Sequence, residues 1–196
     1  MRTSVPAIAP YLRSETQARL LAELLLRPGT ARSITDLARV TGAPQSVISR
    51  EVGRLVEARV LVDEHIGRTR LVRANRDYHL LDPLTEILAA TFGPIPVLSR
   101  LLTGLDGITE AYLYGSWAAR FSGVTGRAPG DVDVLVIGSP DRALLNQVAD
   151  DAEAELGITV QITRVTPRTW QAATDPFVRT VKSQPLVRLD LSGERT

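Results

Sequence analysis

The sequence predicts an α+β chain built of two unlike halves, and three observations predict it. Up to about residue 58 apolar residues recur at helical spacing, whereas from residue 106 onwards short apolar runs of strand length alternate with helical segments. Between these regions two apolar runs flank a polar turn, Ile66-Gly67-Arg68-Thr69, which is the pattern of a two-stranded hairpin. Charge divides the same way: residues 1–80 hold 13 Lys/Arg against 8 Asp/Glu, and residues 81–196 hold 10 against 14. A basic first half suits nucleic acid, and an acidic second half suits a cation-dependent site. Nearly all the positive charge is arginine, whose planar fork matches phosphate.

Ser14-Glu15-Thr16-Gln17 has the form of a capping box, and Ala18, Leu21, Leu24 and Leu25 give the first helix its apolar stripe before the stop at Arg27 to Gly29. Ser33 caps a second helix, Asp36 favours its first turn, and Ile34, Leu37, Ala38 and Val40 form its buried face until Thr41-Gly42-Ala43 breaks it. A third helix runs from about Pro44 to Ala58 with Val47, Ile48, Leu55 and Val56 inward. Two helices joined by a tight glycine-containing turn are the helix-turn-helix unit, whose second helix enters the major groove of DNA. Val60 to Val62 and Leu71 to Arg73 then supply the strands of a hairpin, the wing.

Residues 14–76 together resemble a winged helix-turn-helix domain of the ArsR/MarR-like kind found in small bacterial repressors. The resemblance implies double-stranded DNA as partner, with Gln45, Ser46, Ser49 and Arg50 facing the groove and Arg54, Arg68 and Arg70 meeting phosphate or the minor groove. One winged helix covers one half-site, so a homodimer is expected. Dimerisation or protein docking is the alternative use of such a domain, and the basic surplus favours DNA.

The expected division is a DNA-binding domain over 1–80, a helical connector over 81–105 and a small α/β domain over 106–196. In the connector Asp82-Pro83 opens a helix carrying Leu84, Ile87 and Leu88, and Gly93-Pro94 interrupts before a second helical stretch from Ile95 to Leu102. In the last domain Ala111 to Tyr114 is a strand, Trp117 to Phe121 a short helix and Val132 to Ile137 a second strand. Asp141 to Leu156 follows as a helix with Leu144, Leu145, Val148, Ala152 and Leu156 inward, and Gly157 ends it. Ile158 to Val165 is a third strand, Pro167 to Trp170 a helical piece, and Asp175 to Leu191 one more helix and an extended segment.

The chemistry concentrates between Ala111 and Gly138. Alternation on a strand puts Asp131 and Asp133 on one face, where two carboxylates repel unless a cation joins them. Magnesium with substrate phosphates is the usual answer. A glycine directly after a strand lets backbone approach a phosphate closely, and Gly115-Ser116 stands there. Gly-Ser after a strand, then a short segment and Asp-x-Asp on the next strand, resembles the signature of polymerase-beta-type nucleotidyltransferases, and its small, minimal members most of all.

The resemblance implies a mixed-sheet nucleotidyltransferase fold in which Gly115 and Ser116 hold a nucleoside triphosphate, ATP or another, and Asp131 and Asp133 ligate Mg2+ and serve catalysis. Arg120 and Arg127, between the motifs, are triphosphate candidates, with a solvated arginine equally weighted. The family's full site has a third carboxylate on the neighbouring strand, and the matching position here is Gln161, which is neutral and no base. Loss of a catalytic base costs roughly 10²- to 10⁴-fold in rate. Trp117 reads as packing rather than base stacking, Tyr112 and Tyr114 as core, and His65 and His79 as surface or partly packed histidines.

The function expected is a DNA-binding transcriptional regulator with an ATP–magnesium domain that transfers AMP to a protein or small-molecule hydroxyl. Minimal nucleotidyltransferases imply, by resemblance alone, a cognate toxin as acceptor in a toxin–antitoxin pair. The alternative is a pure transcription factor whose second domain is catalytically degenerate and serves ligand sensing or dimerisation. An antibiotic-modifying transferase is weaker, because it leaves the DNA-binding half unexplained. Absence of cysteine excludes disulfides and thiolate metal sites. No run approaches the ~18 apolar residues that would mark a bilayer span, so no membrane partner and a cytoplasmic location are expected.

Overall fold

A computed structural model describes residues 12–27, 29–123 and 129–192. The chain is α+β and divides at Gly93/Pro94 into two compact units. The expected connector is therefore shared out: its first helix belongs to the first unit and its second to the other.

In the first unit α1 (Glu15–Leu25) begins where the Ser14 hydroxyl accepts the Gln17 amide at 3.1 Å. The Gln17 side chain reaches back to the amide of Arg13 rather than to that of Ser14, so the capping box closes one residue early. A two-residue strand β1 (Arg32–Ser33) leads into α2 (Ile34–Thr41), and α3 (Gln45–Glu57) follows the turn at Gly42, whose φ of +71° is the left-handed helix stop. Strands β2 (Leu61–Ile66) and β3 (Thr69–Ala74) make the hairpin, Ile66 paired with Thr69 across Gly67-Arg68. Both strands run further than the apolar runs alone predicted. Strand β1 pairs antiparallel with β3, giving a three-stranded sheet in the order β1-β3-β2. The segment from Leu81 to Phe92 forms α4 and packs against α1.

Leu20, Leu24, Leu37, Ile48, Leu61 and Leu88 are fully buried in this unit's core, each burial contributing roughly 1.5–3 kcal/mol. Val40, expected inward, is 41% exposed. It lies in the last turn of α2, beside the stop at Gly42.

The second unit opens with α5 (Pro94–Leu102) and is built on a four-stranded sheet in the order β6-β5-β4-β7. Strands β4 (Ile108–Tyr114) and β5 (Asp131–Gly138) are antiparallel, joined through α6 (Gly115–Phe121) and residues 122–130. From β5 the chain passes through α7 (Arg142–Leu156) to β6 (Thr159–Val165), which lies parallel to β5. The expected mixed sheet is thus present. Helices α8 (Pro167–Ala172) and α9 (Pro176–Lys182) follow, and β7 (Val187–Arg188) pairs with β4.

Alternation along β5 separates two rows. Val132, Val134 and Val136 fill one face. Leu135 and Ile137 fill the other, where Tyr112, Val165, Trp170 and Val181 pack over them. Helix α7 packs on α5 and β6 through Leu145, Val148, Ala152 and Leu156. Leu144, expected inward with them, is 48% exposed: it stands at the edge of that stripe, about 100° of helix rotation from Leu145.

Candidate functional sites

In the second unit Asp131 and Asp133 continue the row of Leu135 and Ile137, so a face that is apolar along most of β5 turns acidic at its start. Register fixes the neighbours. Asp133 lies opposite Tyr114 on β4 and opposite Gln161 on β6, and Asp131 lies opposite Thr159. Three adjacent strands therefore present Tyr114, Asp133 and Gln161 side by side. Asp131 is exposed and Asp133 half-buried. Burial, and then the charge of Asp131, push the Asp133 carboxyl above the usual carboxylate range. The Tyr114 phenol is also raised, by burial first and by the Asp133 charge, while a hydrogen bond with Thr163 acts the other way.

Gly115 closes the site from the β4 side. Its φ is +71°, and a Cβ built on it would stand 2.5 Å from Oδ2 of Asp133. Only glycine lets the chain turn there while the carboxylate stays in place. Ser116 follows, exposed, and Arg120 lies one helical turn later on the same side of α6. Arg127 lies outside the described residues. Trp117 is 4% exposed and packs at 5.9 Å from the Phe121 ring, a packing residue as expected. Tyr112 is half-buried and stacks on Trp170.

Among the described residues no group of three or more His, Asp or Glu side chains is placed to hold a metal. The donors that come together are two carboxylates and the side-chain amide of Gln161, an all-oxygen set of the kind hard cations take. Thr163 and Phe177 were missed by sequence reasoning. Period-two alternation from Gln161 signals Thr163, but nothing local signals Phe177, which α9 returns to the ring of Tyr114. A surface cavity of about 480 Å³ lies elsewhere, towards the other end of β4, lined by Thr109, Glu110, Arg188 and Asp190 among others.

In the first unit α3 buries Ile48, Val52 and Leu55 and turns Gln45, Ser46, Ser49 and Arg50 outward, all exposed. Pattern alone placed Val47 and Val56 inward, and they are half-buried; Glu51, not foreseen, is buried and accepts from Gln17 and from Arg54, the latter at 2.6 Å. Arg70 is half-buried and bonded at 2.6 Å to Asp63 across the hairpin. Arg68, at the turn, is exposed. Among the described residues no ion pair engages Arg50 or Arg68, so the four arginines of the proposed DNA contacts separate into two free and two engaged cations. His65 and His79 are exposed, as expected.

No family model and no curated protein matches the chain. Solved structures similar to parts of it include AF1382 from Archaeoglobus fulgidus, at 17% identity over 42% of this chain and 93% of that one, with a TM-score of 0.37. BpsR of Bordetella bronchiseptica, whose DNA binding is described as regulated by 6-hydroxynicotinic acid, matches at 24% identity over 47% and 72%, TM-score 0.32. The MarR family transcriptional regulator SPO1453 of Silicibacter pomeroyi matches at 28% identity over 48% and 65%, TM-score 0.37. The likenesses are partial. Each takes in less than half of this chain. Among the described residues no helix is long and apolar enough to cross a membrane.

Proposed function

We propose that the chain is a DNA-binding transcriptional regulator whose first unit reads DNA as a homodimer. The observation that carries this reading is the outward face of α3, where Gln45, Ser46, Ser49 and Arg50 stand together on a helix anchored by Ile48, Val52 and Leu55. Side chains of these types hydrogen-bond base edges and phosphates, and a wing tip carrying Arg68 supplies a flanking cation. Arg54 and Arg70 contribute less, since each would exchange an existing ion pair for a phosphate. Fluorescence anisotropy of the full chain on genomic operator fragments tests it: binding that weakens steeply with salt is expected, and no binding even at low salt removes the reading. Sedimentation tests the dimer.

The second unit, on our reading, binds a nucleoside triphosphate with magnesium. What supports this is the closeness of Gly115 to Asp133, which brings the Gly-Ser bend against the paired carboxylates. The donor set fits a hard cation: Asp131 and Asp133 would hold it, with the Gln161 amide oxygen beside them, and Ser116 and Arg120 would meet phosphate oxygens. Bound there, the ion would neutralise the triphosphate. Calorimetry with ATP and Mg2+ should show binding that the double substitution Asp131→Asn with Asp133→Asn abolishes.

The family resemblance extends this to transfer. An acceptor hydroxyl would attack the α-phosphorus, forming an O–P bond as the bond to the β-phosphate breaks and pyrophosphate leaves with the electron pair. Gln161 cannot take the hydroxyl proton, so a slow reaction, or a base supplied by the acceptor protein, follows. A cognate toxin is the acceptor class that the resemblance favours. The rival reading, a degenerate domain that only senses nucleotide or joins subunits, is favoured by the same Gln161. α-Labelled ATP incubated with the chain and a candidate toxin separates the two, for label on the toxin excludes the rival.

A further inference from the structure

Phe177 is the second residue of α9 and is 36% exposed. The Asp175 carboxylate accepts from the amides of Phe177 and Val178 at 2.8 and 3.2 Å, which fixes the start of the helix. Val178 and Val181 are buried and anchor α9, so the helix does not depend on the outer surface of Phe177. Its ring meets Tyr114 edge to face, centroids 5.8 Å apart and planes at 82°. Tyr114 lies in turn in register opposite Asp133.

A single exposed apolar ring needs no explanation on an ordinary surface. This one differs in its setting. It meets Tyr114, which lies in register with the polar row of Asp133 and Gln161, and that row suits a triphosphate but offers no π face to a planar base. Tyr114 links Phe177 to the carboxylate row, by the ring contact on one side and by its register with Asp133 on the other. A rigid aromatic also orders little on binding, because it has two side-chain torsions to fix and Tyr114 already restrains it.

We propose that Phe177, backed by Tyr114, is the stacking platform for the base of the bound nucleotide, and hence the residue that distinguishes a nucleotide from a bare polyphosphate. The inference rests on the reading that Asp131 and Asp133 hold magnesium triphosphate. Stacking accepts any base with a π face, so ATP and other nucleoside triphosphates should bind within a few-fold of one another. The test is calorimetry on the full chain with two probes, Mg-ATP and Mg-tripolyphosphate, for the wild type, Phe177→Ala, Phe177→Leu and Phe177→Tyr. Phe177→Ala should lower ATP affinity roughly ten- to hundredfold and leave tripolyphosphate unchanged, whereas Phe177→Tyr should keep both. Phe177→Leu retains apolar contact with Tyr114 but no π face, and should behave like Phe177→Ala even if the alanine variant fails to fold. Wild-type ATP affinity in folded Phe177→Ala or Phe177→Leu, or equal loss of both probes in either, overturns the platform. A wild-type chain that binds neither probe instead removes the underlying triphosphate reading, and the platform with it.

Discussion

Two carboxylates hold charge where the fold must answer for it, and a glycine makes room for one of them. Glu23 is 4% exposed, and one of its oxygens accepts from Arg27 and Arg32, each at 2.8 Å, tying α1 to β1. Glu23→Ala strips both arginines of their shared acceptor and should lower unfolding stability by about 2–3 kcal/mol in urea denaturation. Gly115 has the opposite problem, since any side chain on it meets Asp133. Gly115→Ala combines a left-handed backbone with a displaced carboxylate, so about 1–2 kcal/mol of stability and the binding of Mg-ATP should be lost together while circular dichroism shows a folded chain. Asp133 itself is a liability without a cation. Its raised pKa means that the folded state favours the protonated form; the stability it contributes is present at low pH and is lost as pH rises from the unfolded value through the folded one. Asp133→Asn should therefore raise the melting temperature of the ion-free protein at neutral pH and, on the proposed reading, remove the increase expected when Mg2+ is added to the wild type.

At the scale of the element, the cap of α2 shows how one hydroxyl serves two ends. Ser33 Oγ accepts the Asp36 amide at 3.1 Å and donates to the Asp36 carboxylate at 2.7 Å. That hydrogen bond lowers the Asp36 pKa, with Arg39 assisting, so the associated stability is present above the unfolded carboxylate value and fades as pH falls through the folded one. Ser33→Ala should cost about 1 kcal/mol and move the Asp36 titration seen by NMR up towards its ordinary value. This cap, like those at Ser14 and Gly42, was legible because capping is a local contract between residues three apart. The Asp-x-Asp pair was legible for the same reason, period-two alternation being local too. What was not legible needed pairing at a distance. Two residues at Arg32–Ser33 carry no alternation and become a strand only because Val72 and Leu71 lie opposite. Arg70 looks like its free counterpart in the sequence until the hairpin brings Asp63 alongside. Phe177 reaches Tyr114 only after the chain has passed through β5, α7, β6 and α8.

Across the whole molecule, the division into free and engaged arginines makes the proposed DNA contacts separable by salt. Every phosphate neutralised by a cation releases counterions, so the slope of log affinity against log salt counts the cations that meet phosphate. Arg50 and Arg68 are bound to no carboxylate among the described residues, whereas Arg54 spends its charge on Glu51 and Arg70 on Asp63. The first 80 residues carry a surplus of five positive charges, enough for such contacts to govern affinity. Substituting Arg50 or Arg68 by alanine should therefore flatten the salt dependence by about one unit of slope each, with the melting temperature unchanged. Arg70→Ala should do the reverse, leaving the slope nearly intact while loosening the hairpin by about 0.5–1 kcal/mol through loss of a half-buried pair. Anisotropy titrations from low to high salt, run beside thermal melts of the same four proteins, read both effects. A slope that drops equally for Arg70→Ala and Arg68→Ala would mean that the wing meets DNA along its strands rather than at its tip.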